Sequence, residues 1–261
     1  MAETSSSFAG FTPAAIQFLA DLAQNNDRAW FGPRKAEYER LLKEPLEQLC
    51  VALAGEFAAR GLPLQADPKR SPFRIYRDTR FSGDKSPYKT NIAASFPWVE
   101  ARAGGGTTSA GAATTGTEAT GGAAAASAKA AIGVEERHGV GGYVNFRPGE
   151  MYVGGGMYMP PKPRIDAFRR AVLDDPGRVR AALEDPGFVA WFGAAHPHET
   201  LKRVPPGYPA DHPQADLLRW KDVIFMRRLA DEEVCSPDLP VRLAGGFAAA
   251  MPVFRFLATL R

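Results

Sequence analysis

The sequence predicts an α+β fold, a central antiparallel sheet flanked by N-terminal and C-terminal helices. Three observations predict it. Apolar residues recur at helical spacing before residue 61 and again after Pro160. Between them, Asn91 to Trp98 alternates, with Ile92, Ala94, Phe96 and Trp98 on one face of a strand. Pro148-Gly149 then separates Tyr143–Arg147 from Met151–Met159, a pair suited to the middle of a type II turn in a hairpin.

The elements follow in order. Thr12 can cap a helix that Pro13 opens, with Ile16, Phe18, Leu19 and Leu22 as its apolar side. Asn25-Asn26-Asp27 ends that helix and can start the next. A second helical stretch runs to about residue 60 through Leu46, Leu49, Cys50, Leu53 and Phe57, restarted or kinked at Pro45 and capped by Gly61. Phe73 to Arg77 reads as a strand. Gly154-Gly155-Gly156 marks a bulge or a close approach of a backbone or ligand, since it lacks the spacing and following helix of a phosphate loop. Arg164 to Leu173 is a helix stopped at Asp174-Asp175-Pro176. Short pieces lead to Phe192, then a Pro/His-rich loop over 196–213 and helices at about 214–221 and 239–260. Residues 1–7 are expected to be a disordered tail. Residues 8–261 are expected to form a single domain, interrupted by a flexible insertion at 101–131, where Gly, Ala, Thr and Ser offer too little apolar surface to offset ordering.

Composition narrows the function classes. A hydrophobic fraction of 45% supports a normal core, and a net charge of +3 is too small to point to nucleic acid unless the charges are concentrated. Cys50 and Cys235 are far apart without metal-ligand spacing, as expected of thiols in a reducing compartment. The first residues lack a signal-peptide pattern, and no stretch is long and apolar enough for a membrane helix, so a cytoplasmic location and no membrane partner are expected.

The charges are concentrated between residues 73 and 91. Arg74, Arg77, Arg80, Lys85 and Lys89 stand among Asp78, Asp84, Tyr76, Tyr88 and Asn91. Alternation points Arg74, Tyr76, Asp78 and Arg80 to one side and Arg77 to the other. Like charges 6–7 Å apart repel by roughly 2–3 kcal/mol at an effective dielectric near 20, so such a cluster needs carboxylates or a bound anion. Two readings stand beside each other. In one, Arg74, Arg77, Arg80, Lys89 and Asn91 bind an anion, with Asp78, Asp84, Lys85 and Tyr88 as the catalytic candidates. In the other, an Arg–Asp network fastens the loop to the sheet.

Arg74-x-x-Arg77-Asp78-x-Arg80-Phe81, followed by Asp84-Lys85-x-x-Tyr88, resembles the signature of a bacterial family of conserved hypothetical proteins of unknown function, with members in some fungi. Phe11-Thr12, Tyr158-Met159-Pro160 and the stretch from Lys202-Arg203-x-Pro205 to Arg228 are similar to it too. The resemblance covers about residues 8–100 and 138–260, and 101–131 departs from it. It implies no reaction.

Elsewhere the signals are weaker. Lys202, Arg203, Arg219, Lys221, Arg227 and Arg228 form a second basic group with Tyr208, Trp220 and Phe225, read first as a solvated face. His196, His198, Asp211 and His212 have no helical chelating pair, so they read as loop residues rather than metal ligands. Walker, Rossmann, GxSxG and HExxH patterns are absent, so no cofactor is named. Ser82-x-x-Lys85 lacks the companion motifs of a serine–lysine enzyme. The leading expectation is therefore an enzyme or binding protein for a small phosphorylated or other anionic ligand. The alternatives are a non-catalytic interaction protein with a structural Arg–Asp network, and a nucleic-acid-binding module using both basic groups.

Overall fold

The computed structural model describes residues 8–78, 80, 83–99 and 139–261. The expected tail at 1–7 and insertion at 101–131 lie outside the described residues. Helix α1 (Pro13–Gln24) starts as expected, with the Thr12 hydroxyl oxygen accepting from the Ala15 amide at 3.3 Å and Ala15, Phe18, Leu19 and Leu22 buried. Asp27 accepts from the Trp30 amide at 2.8 Å and opens α2 (Arg28–Phe31). A 3-10 turn (Gly32–Arg34) leads into α3 (Lys35–Tyr38), and a π-type turn over Glu39–Lys43 into α4 (Glu44–Ala59). That wider turn falls just before Pro45, which has no N–H to donate and whose ring crowds the preceding turn. At the other end Leu62 N–H donates to Phe57 O and Gly61 N–H to Ala58 O, with Gly61 at φ 61°, a Schellman cap.

The sheet is antiparallel throughout, ordered β1 (Ile92–Pro97), β2 (Val140–Phe146), β3 (Tyr152–Met157), β4 (Val223–Arg228). The hairpin turn has the expected form: Glu150 N–H donates to Arg147 O at 2.8 Å, and Gly149 has φ 75°. The three glycines of β3 make no bulge, because the register runs unbroken to both neighbours. They serve close approach instead. A Cβ on Gly155 would lie 2.6 Å from Gly141 O and 2.8 Å from the Phe254 ring.

Three expectations change. Phe73–Arg77 is extended but is not a strand of the sheet. It makes only isolated bridges, Pro72 with Ala94 and Tyr76 with Tyr88, because Pro72 and Pro87 cannot donate to a continuous ladder. Its alternation survives: Phe73 and Ile75 are buried while Arg74, Tyr76 and Asp78 are exposed. The helix expected at 214–221 shrinks to α8 (Ala215–Leu218), and the chain then enters β4, a strand that the sequence reading lacked. Before α8 come α5 (Lys162–Asp174), α6 (Pro176–Leu183) and α7 (Pro186–Phe192), the last two each opened by an Asp-Pro pair whose carboxylate caps the first turn. After the short α9 (Asp231–Val234), the helix expected at 239–260 is two, α10 (Leu239–Ala249) and α11 (Met251–Ala258), bent by 56° where Pro252 opens the second.

Phe247 of α10 and Phe254 of α11 cover one face of the sheet, meeting Phe57 and Phe96, and Phe225, at ring distances of 5.3–5.8 Å. Buried Arg169 on α5 is satisfied by Leu218 O at 2.9 Å, Trp220 O at 2.8 Å and Asp166, tying α5 to the approach to β4. Both sheet edges are occupied. Leu64 and Pro72 bridge to the β1 side, and His196 bridges to β4. No single described helix is long and apolar enough to cross a membrane.

Candidate functional site

The segment from Arg74 to Asn91 leaves the edge of β1, turns, and returns antiparallel to itself. Lys89 N–H donates to Ile75 O at 2.8 Å and Arg77 N–H to Pro87 O at 2.9 Å. Within this turn the charges pair in two ways. Arg77 Nη1 donates to Asp84 Oδ2 and, at 2.8 Å, to Ser86 Oγ. Asp84 Oδ1 accepts from the Ser86 amide at 2.9 Å and hydroxyl at 2.7 Å. The Ser86 hydroxyl and amide, then Arg77, hold the Asp84 carboxyl down to about 2. Arg80 instead forks onto Asp78, Nε to Oδ1 at 3.0 Å and Nη2 to Oδ2 at 2.7 Å, and its side chain and amide hold Asp78 down to about 2. Arg77 is only 22% exposed where Arg80 is 74% exposed, so the first pair is anchored and the second rides on the surface.

Tyr88 is the inner end of this segment. Its ring stacks on buried Phe31 at 4.1 Å, and burial pushes its phenol pKa up. The Asn26 side chain brackets its backbone, accepting from Tyr88 N–H at 3.0 Å and donating to Tyr88 O at 2.9 Å. Tyr76 lies outside Tyr88, with its ring 5.6 Å away and 48% of the residue exposed. A cleft of about 630 Å³ opens here, lined by Asp27, Arg28, Tyr76, Arg77, Lys85, Pro87 and Tyr88.

Of the expected site residues, Arg77, Lys85 and Tyr88 therefore share the cleft, and Asp84 orients Arg77. Arg74, Asp78 and Arg80 are exposed and are not on the cleft's lining. Lys89 points its ammonium over Phe73, 5.0 Å from the ring centre. Asn91 donates to the buried Asn145 at 2.7 Å, which in turn donates to Glu150 O, so Asn91 ties the segment to β2 and the hairpin turn. Phe81 and Ser82 lie outside the described residues. Sequence reasoning did not find Asn26, Asp27 or Arg28 as site residues. Asn-Asn-Asp reads as helix punctuation, and Asn26 stands 62 positions from Tyr88.

The second basic group belongs to the opposite edge of the sheet, three strand spacings or about 14 Å from β1. Lys221 pairs with Glu199 at 2.6 Å. Arg227 pairs with Glu233 at 2.9 Å and covers the Trp191 ring at 4.5 Å. Among the loop histidines, His198 donates its amide to Asp222 at 2.6 Å and His212 Nδ1 accepts from the Gln214 amide at 3.1 Å. Among the described residues no three His, Cys, Asp or Glu are grouped to hold a metal ion.

A family model described as "Conserved hypothetical protein (DUF2461)" matches residues 14–256, from α1 into α11. The chain belongs to this family. Nothing matches it among curated proteins or among solved structures. The DUF2461 match spans the whole cleft segment and its α2 wall, and the family's description assigns no reaction.

Proposed function

We propose that this DUF2461 protein binds a small phosphorylated or otherwise anionic ligand in the cleft between α2 and the Arg74–Asn91 turn. The observation that carries this reading is the orientation of Arg77. Asp84 and Ser86 engage its Nη1, and a guanidinium has five N–H donors, so the group is fixed in place with donors left for a second anion. Arg28 and Lys85 add positive charge on the same cleft.

Asp78 and Asp84, both at about 2, are ionised at neutral pH and are weak proton acceptors, so we assign them to orienting their arginines rather than to base catalysis. Tyr88, with its phenol pKa raised, stays protonated and able to donate to an anion. The competing reading, a structural Arg–Asp network in an interaction protein, draws support from the Asp78–Arg80 fork, in which the guanidinium engages both carboxylate oxygens.

The test is calorimetric titration with inorganic phosphate, pyrophosphate and citrate on the wild type and on Lys85→Ala and Arg77→Lys. One of these anions is expected to bind, and each variant to weaken it about tenfold or more, the loss of a charge-assisted contact. Absence of binding by every anion to folded wild type, or unchanged affinity in both variants, would sink the reading in favour of the structural network.

A further inference from the structure

We infer that the ligand of this cleft is a nucleoside phosphate whose base lies against Tyr76; this rests on the anion reading above and specifies it. Phosphate alone leaves most of the space unused, because about 630 Å³ falls in the range of roughly 300–1,000 Å³ typical of pockets for whole cofactors and drug-sized molecules. Beside the three cations, Asp27 and Pro87, the cleft is lined by two aromatic residues, Tyr88 and Tyr76, and buried Phe31 packs behind Tyr88. Phe31, Tyr88 and Tyr76 form a ladder of rings, the first two stacked at 4.1 Å and the second pair 5.6 Å apart at 47°.

Phe31 and Tyr88 are buried, whereas Tyr76 ends the ladder 48% exposed, on the lining of the cleft. Among the described residues the other large exposed apolar side chains, Val51, Val189 and Val241 among them, are not aromatic and lie off this cleft's lining. A ring held from behind and open in front is a stacking platform, and base–aromatic stacking accepts any base because every base has a π-face. Asp27, the one carboxylate among the described lining residues, repels an anion beside it and offers an acceptor for sugar hydroxyls. Phosphate is thereby directed toward Arg77, Lys85 and Arg28, which leaves the base for the aromatic wall. The groove of about 330 Å³ beside α5 and α11 makes a poorer case: there Arg178 is engaged by Thr259 at 3.1 Å and lies over Phe256, and Asp175 caps α6.

The experiment compares AMP, ribose 5-phosphate and inorganic phosphate by calorimetry on the wild type, Tyr76→Leu and Tyr76→Trp. AMP is expected to bind about tenfold or more tighter than ribose 5-phosphate. Tyr76→Leu should reduce AMP to the ribose 5-phosphate level while leaving ribose 5-phosphate itself unchanged, which also reports that the variant is folded, and Tyr76→Trp should keep the preference. Equal affinity of the wild type for AMP and ribose 5-phosphate, or a preference that survives in Tyr76→Leu, overturns the nucleoside assignment and leaves the anion site standing. Absence of binding by all three phosphates removes the nucleoside assignment, and only if pyrophosphate and citrate also fail to bind does the anion site fall with it. A single-stranded oligonucleotide that binds more tightly than AMP, with affinity falling steeply between 50 and 200 mM salt, would overturn the small-ligand form in favour of nucleic acid.

Discussion

Asn26 holds the site together from a distance. Its amide satisfies both the N–H and the C=O of Tyr88, doing for one residue what a strand neighbour would do, because the bridge to Tyr76 is bonded only through the flanking residues, Lys89 to Ile75 and Arg77 to Pro87. Asn26→Ala leaves two partly buried backbone groups without partners, so unfolding in urea should show a loss of about 1–3 kcal/mol and anion affinity should fall with it. Asn26→Asp has nearly the same shape but turns a carboxylate oxygen toward the Tyr88 carbonyl, and it should not restore the wild-type midpoint. The cleft residues on the turn itself, Arg77, Lys85 and Tyr88, were legible because they crowd into one stretch of chain. Asn26, Asp27 and Arg28 were not, since a polar triplet after a helix has an ordinary local use, and only the packing of α2 against Tyr88 gives it another. Lys89 and Asn91 show the reverse: they look like part of the charge cluster, but strand geometry turns them toward Phe73 and Asn145.

At the scale of elements, two glycines have opposite uses, Gly155 in the sheet and Gly55 in a helix. Gly155 sits where β2, Phe225 and Phe254 converge, and an added Cβ would come within 2.6–3.0 Å of all three. Gly155→Ala should therefore destabilise by about 1–3 kcal/mol, the cost of overpacking. Gly55, on the exposed side of α4, has nothing within 4 Å of its would-be Cβ. Gly55→Ala should stabilise by about 0.5–1 kcal/mol through helix propensity and the unfolded chain. Urea midpoints of the two variants should move in opposite directions, and equal shifts would contradict this packing. The elements that were readable had local chemistry at their ends, as Thr12-Pro13 and Pro148-Gly149 do, and Asp174-Asp175-Pro176 was legible as a stop though not as the opening of α6. β4 was hidden because Val223–Arg228 is only six residues long and is separated by only four residues from the short helical turn of α8, so periodicity could not separate strand from helix. The 56° bend between α10 and α11 lay in plain view at Pro252, which a long apolar run masked.

Across the whole molecule the carboxylates respond to pH in opposing senses. Asp78 and Asp84, held at about 2, favour the fold above the ordinary carboxylate range and lose that contribution as pH falls toward 2; both are exposed, so it is small. Asp222 is different. It is 1% exposed, joins the 196–200 loop to the end of β3 by accepting from the His198 and Met159 amides, and burial raises its pKa. The folded chain thus holds this proton more tightly than the unfolded chain does. Its contribution is fully present below the unfolded value of about 3.9 and is lost as pH rises through the raised folded value. His198 beside it lowers that pKa and Glu199 raises it, but desolvation is the largest cause. An asparagine at this position keeps one acceptor oxygen and carries no charge at any pH. The stability of Asp222→Asn relative to wild type should therefore improve from pH 4 to pH 7.5, as read from urea unfolding at both values, even if the variant is the weaker protein at pH 4. A difference independent of pH would mean that the two amides solvate the buried carboxylate as well as water does, and that this junction between β3 and β4 costs the fold nothing in charge.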